Sequence, residues 1–108
     1  MPRSVFLGDF EHLVLLALLR LGSATHGTAI RRELESRTSR TVSVGALYTA
    51  LGRLERKGFI TSGLGDPTPE RGGRAKRDFT IEAAGRDALK TSRALIEDMW
   101  AGVTLRRS

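Results

Sequence analysis

SVGALYTALGRLERKGFI, residues Ser43 to Ile60, is the stretch around which the rest of this chain organises itself. Val44, Leu47, Leu51 and Leu54 recur at three- and four-residue spacing, which draws a single buried stripe on a helix. The opposite face carries Gly45, Ala46, Thr49, Gly52, Arg53 and Arg56. Small residues with two arginines make a slim, cationic rod, a shape suited to a groove lined by phosphates. Ser43 is the expected N-cap, and with Ala46 three residues later there is no capping box. Gly58 stops the helix, and Phe59-Ile60 open an extended segment.

Upstream, Asp9 to Leu21 predicts a helix that is apolar almost all round, with Phe10, Leu13, Val14, Leu15, Leu16, Leu18 and Leu19. Such a helix must be covered on every side. A small core covers part of it, and a second subunit is the expected cover for the remainder. Asp9 and Arg20 suit the helix dipole, and Gly22 ends the helix. Ser23-Ala24-Thr25 reads as a polar connection. A second helix is expected over His26 to Arg37, with Ala29, Ile30 and Leu34 facing inward, followed by a loop over Thr38 to Thr41.

Downstream, Phe59 to Leu64 and Arg74 to Ile81 predict two strands around a loop, Gly65 to Gly73, that contains Pro67 and Pro69. Phe79 and Ile81 share one face. Arg71, Arg74, Lys76 and Arg77 crowd the tip. From Ala83 to about Leu105 a last helix repeats Leu89, Ser92, Ile96, Met99 and Val103 at a/d spacing, widened by Leu95 and Trp100. The order is that of a winged helix-turn-helix. The fold expected is mainly α (α+β), with a two-stranded wing and a C-terminal dimerisation helix. Residues 1–81 are expected to form the DNA-binding domain and residues 82–108 the dimerisation helix.

The net charge of +6 is placed unevenly. Residues 1–30 carry two basic and two acidic side chains, and residues 78–108 five of each. Residues 31–77 carry eleven basic against five acidic. A cationic field confined to one structural unit attracts a polyanion, whereas scattered charge serves solubility. There are no cysteines, which excludes disulfides and thiolate chemistry and agrees with a reducing compartment. The longest apolar run, Leu13 to Leu19, is too short to span a bilayer, and no signal-peptide pattern begins the chain. The expectation is a cytoplasmic protein that does not associate with membranes. His12 and His26 are isolated, so no metal or other cofactor is expected. No nucleophile–base pair or phosphate-binding glycine loop points to an enzyme.

The run Gly45-Ala46-Leu47-Tyr48, then Leu51, Arg53-Leu54-Glu55, Gly58 and Ile60, resembles the signature of PadR-type transcriptional regulators. Ile81, Ala84-Gly85-Arg86 and Ala88-Leu89 extend the resemblance over roughly residues 9–90. Departures are Thr49 where the family often has proline, Asp78-Phe79 for a tyrosine pair, Glu82 for a capping threonine, and His26-Gly27-Thr28 for Tyr-Gly-Tyr. The resemblance implies a winged-helix repressor that dimerises through its C-terminal helix, of the short kind with one helix after the wing. Some short members hold planar aromatic or cationic drugs between subunits with a tryptophan on that helix.

Thr49 and Arg53 are therefore the candidates for base contacts, since threonine methyl meets thymine and arginine pairs with guanine. Gly45 and Ala46 permit close approach at a helix N-terminus. Arg56, Arg74, Lys76 and Arg77 are candidates for phosphate contacts. Tyr48 either reaches a phosphate or packs against the wing. Leu89, Ile96, Met99, Trp100 and Val103 are the candidate dimer seam. Phe10, Met99 and Trp100 are the candidate ligand site, with plain packing of Trp100 across the seam as its alternative. The expected partners are double-stranded DNA bearing an inverted-repeat operator, a second copy of the chain, and a planar aromatic or cationic effector. The competing readings are a ligand sensor and a protein-interaction module on the same scaffold.

Overall fold

The computed structural model describes residues 7–22, 24–64 and 77–106. The elements run α1 (Asp9–Leu21), β1 (Thr25–His26), α2 (Gly27–Thr38), α3 (Val44–Arg56), β2 (Ile60–Leu64), β3 (Arg77–Ile81) and α4 (Ala83–Trp100). α1, α2 and α3 pack on one another, and β2 and β3 form an antiparallel hairpin beside them.

The core forms where the apolar stripes converge. Val14, Leu15 and Leu18 of α1 meet Ile30 and Leu34 of α2, Leu47, Leu51 and Leu54 of α3, and Ile60, Phe79 and Ile81 of the sheet. Val44 departs from the expected stripe and is 53 % exposed. It sits at the first turn of α3 and faces solvent, and Ala50 takes a core position instead. Residues 47, 50, 51 and 54 make a tighter helical face than the sequence spacing suggested.

The sheet has three strands rather than two. Thr25 and His26 pair antiparallel with Phe79 and Asp78, giving the order β1-β3-β2. Thr25, the end of the supposed polar connection, and His26, expected to begin the second helix, therefore form a short edge strand. A pair of residues is too brief to show alternation, so no periodicity marks it.

Local caps explain the helix ends. Ser43 Oγ accepts the Ala46 N–H at 3.0 Å and starts α3. At its other end Gly58 has φ +80°, with Gly58 N–H bonded to Glu55 O and Phe59 N–H to Leu54 O. That pairing is the Schellman arrangement, which a left-handed glycine permits. The turn before α3 is pinned by α2: Glu35 accepts the Val42 N–H and Arg31 donates to Val42 O, both at 2.7 Å.

α4 ends at Trp100, short of the expected Leu105, and Gly102 turns the chain at φ +78°. Its first half belongs to the core. Ala88, Leu89 and Ser92 are buried, and Ser92 Oγ lies 2.8 Å from His12 Nδ1 on α1. His12 thus joins α1 to α4. A Cβ on Gly85 would strike the backbone carbonyl of Phe59, so glycine there lets α4 lie against the start of β2.

Candidate nucleic-acid interface

α3 presents Gly45, Ala46, Thr49, Arg53 and Arg56 to solvent, in the arrangement that the spacing implied. The two arginines differ in their surroundings. Arg56 Nη1 lies 3.5 Å from where a Gly52 side chain would begin, so its guanidinium is laid over the open glycine face. Among the described residues Arg56 makes no ion pair. Arg53 lines the cleft between α3 and the start of α1, which also holds Asp9, Glu11, Thr49 and Lys57.

Glu11 is the counter-charge in that cleft. It is 7 % exposed, accepts the Gly8 N–H at 3.0 Å and takes Lys57 Nζ on both oxygens, at 3.0 and 3.2 Å. Burial pushes its carboxyl pKa up. The Gly8 bond, Lys57 and the field of Arg53 outweigh that, and the net pKa falls below the ordinary glutamate value. Sequence reading missed Glu11. Its only signal was a carboxylate on a helix face that is otherwise apolar.

Tyr48 packs against the hairpin. Its ring meets Phe79 edge-on, with centroids 6.0 Å apart and planes at 65°. Its hydroxyl end lies over Gly27, where any Cβ would collide with it. The ring packs on the hairpin, and the residue is still 43 % exposed beside the outward face of α3. Arg77, at the start of β3, is similarly engaged: Nη2 donates to Ser62 Oγ at 3.0 Å and lies 3.7 Å from Glu55 Oε1. Arg74, Lys76 and the Gly65–Gly73 loop lie outside the described residues.

The supposed dimer seam divides. Leu89 is 6 % exposed and belongs to its own core, so it is not free for a partner. Val103 follows the end of α4, out of helical register, yet stays exposed beside Met99 and Trp100. Leu95, Ile96, Met99 and Trp100 remain exposed, as do Leu13, Leu16 and Leu19 on α1. Met99 and Trp100 line a concavity of about 450 Å³ together with Leu7, Ile96 and Leu105. Phe10 is not part of it. That ring turns toward α3 and the α2–α3 turn, beside Val42 and Ala46. Residue spacing could not separate these, because Phe10 and Leu7 are three apart yet serve different faces of the fold.

Comparison with solved structures places the fold among winged-helix regulators. RosR from H. salinarum is 26 % identical, with a TM-score of 0.69 over 91 % of this chain and 81 % of that one. A PadR family transcription regulator from hypervirulent Clostridium difficile is 21 % identical, with a TM-score of 0.67 over 87 % of this chain and 96 % of that one. A winged-helix DNA-binding protein from STIV is 18 % identical, with a TM-score of 0.63 over 94 % and 99 %. No curated protein matches. The family model described as "Transcriptional regulator PadR-like family" matches residues 15–91, from the core of α1 into the buried half of α4. These residues hold the whole helix-turn-helix and its hairpin, and the family is one of regulators rather than enzymes. The chain belongs to the PadR-like family of DNA-binding transcriptional regulators.

Proposed function

We propose that the protein is a dimeric repressor that grips an inverted-repeat operator with α3 and the wing and is released by a small-molecule effector. The observation that carries the reading is the solvent-facing side of α3: an uncluttered row of Gly45, Thr49 and Gly52 with Arg56 laid along it. A helix of this slimness fits the major groove, and the Arg56 guanidinium, without an ion pair among the described residues, is available to phosphate or guanine. Residues 1–81 would form the DNA-binding unit and 82–108 the dimerisation segment.

Two exposed apolar rows support pairing of two copies, one on α1 through Leu13, Leu16 and Leu19, the other on α4 through Leu95, Ile96 and Met99. Rows of this kind are uncommon on monomers. The concavity beside Trp100 offers an apolar, aromatic surface to a planar ligand. An effector that favours one spacing of the two α3 helices would shift the population away from the operator-competent form.

The test is a gel shift on duplexes recovered from a random pool. Recovered sequences should be inverted repeats with half-sites about one helical turn apart, or a multiple. Affinity should fall steeply with salt. Unchanged affinity after Arg53→Ala, Arg56→Ala and Arg74→Ala together would sink the reading. Quenching of Trp100 fluorescence by planar aromatic cations, with parallel loss of the shifted band, tests the effector.

A further inference from the structure

We propose that Glu55 is a positioning residue that sets the wing against α3 through Ser62 and Arg77, and that Arg77 makes its bonds there and not to phosphate. This rests on the DNA-binding reading above.

Three contacts form the bridge. Ser62 Oγ donates to Glu55 Oε2 at 2.8 Å, Arg77 Nη2 donates to Ser62 Oγ at 3.0 Å, and Arg77 Nη2 stands 3.7 Å from Glu55 Oε1. The serine hydroxyl gives its one proton to the carboxylate and receives the guanidinium on a lone pair, so both of its roles are filled. The sheet register explains why these residues meet. Ile60 faces Ile81, Ser62 faces Phe79 and Leu64 faces Arg77. Opposed residues and every second residue share one side of an antiparallel pair. The side that buries Ile60, Phe79 and Ile81 therefore also carries Ser62 and Arg77 toward α3.

α3 answers with two residues on one line. Tyr48 and Glu55 are seven apart, two helical turns, and so lie on the same face. Tyr48 meets Phe79 on β3, the middle rung of the hairpin. Glu55 meets Ser62, opposite Phe79 on β2, and Arg77, two residues nearer the tip. Contacts on both strands, one of them toward the tip, define the angle of the hairpin, where the Tyr48 contact alone would leave it free to swing.

Stability is a poor account of this bridge. Arg77 and Glu55 side chains are 56 % and 38 % exposed, and exposed pairs add little to folding. What the bridge does is hold two long side chains in one arrangement. Once α3 lies in a groove, the angle between α3 and the hairpin decides which phosphates the wing meets. Arg56, one residue along from Glu55, and Arg53, neither with a carboxylate ion pair among the described residues, are left to carry the charge of α3 to DNA.

The experiment measures affinity against salt for the full chain, on a duplex selected from a random pool and on a random duplex. Arg56→Ala should lower the slope of log affinity against log salt by about 0.9, the value of one phosphate. Arg77→Ala should leave that slope unchanged and cut the selected-over-random ratio about tenfold, the discrimination of one base pair. Glu55→Gln should cut the ratio similarly, and the double variant no further than either single one. Arg77→Lys keeps the charge but loses the planar fork, so it should behave as Arg77→Ala. A slope lowered by about 0.9 in Arg77→Ala, with the ratio preserved and Arg77→Lys restoring affinity, would make Arg77 an ordinary phosphate ligand and overturn the inference alone. Absence of any retained duplex for the unsubstituted chain at low salt would overturn the DNA reading itself, and this inference with it.

Discussion

Lys57, one residue past the end of α3, places its ammonium on both oxygens of Glu11 in the first turn of α1. The contact ties the far end of α3 to the element that starts the core. Lys57→Met should cost about 1–3 kcal/mol at neutral pH, because Glu11 keeps the Gly8 bond but loses its charge partner. A fully buried pair would cost more. The carboxyl pKa is lowered in the folded chain, for the balance of causes given above. The stabilisation is thus complete above the ordinary glutamate value and is lost as pH falls through the lowered folded value. Thermal midpoints measured across that acidic window should converge for the unsubstituted chain and Glu11→Gln, having diverged at neutral pH.

Gly27 and Gly85 both lie in the first turn of a helix, and both leave no room for a Cβ. The obstacle at Gly27 is the far end of Tyr48, which can swing away. Gly27→Ala should therefore change stability by less than about 1 kcal/mol, the lost aromatic pair being offset by helix propensity. The nuclear Overhauser contact between Tyr48 and Phe79 should vanish in it. At Gly85 the obstacle is the Phe59 backbone, so Gly85→Ala should cost about 2–3 kcal/mol in urea denaturation.

Gly45 meets nothing within 4 Å of an added Cβ. Gly45→Ala should raise the thermal midpoint, with up to about 1 kcal/mol gained from helix propensity. The same methyl group stands on the face offered to DNA. Operator affinity should fall while stability rises, and a parallel change in both would show that this face does not approach the duplex.

Leu89 and Ile96 sit on one helix, seven residues apart, in opposite circumstances. Leu89→Ala should destabilise the chain by about 2–4 kcal/mol wherever it is measured, since a core position is emptied. Ile96→Glu should leave the fold intact and shift sedimentation toward the single chain. Equal sedimentation of Ile96→Glu and the unsubstituted protein would remove α4 from the dimer contact.

Spacing and punctuation made most of the architecture legible. Leu47, Leu51 and Leu54 marked the buried side of α3, Ser43 its start and Gly58 its end, because caps and helical period act within a few residues. The alternation of Phe79 and Ile81 found β3 for the same reason. The wide apolar surface of α1 announced more cover than one small core provides, and Leu13, Leu16 and Leu19 are indeed left exposed. Local order and the family signature were therefore contained in the chain itself.

Partnerships between distant residues were not. β1 exists only because β3 lies beside Thr25 and His26, and two residues carry no period of their own. The same heptad row holds Leu89 inside and Ile96 outside, because the domain ends halfway along α4. Arg77 and Arg56 look alike in a string of letters. Arg77 on β3 reaches the acid Glu55 on α3, whereas Arg56 reaches none among the described residues, and electrostatics depends on separation in space, which the order of residues alone does not specify.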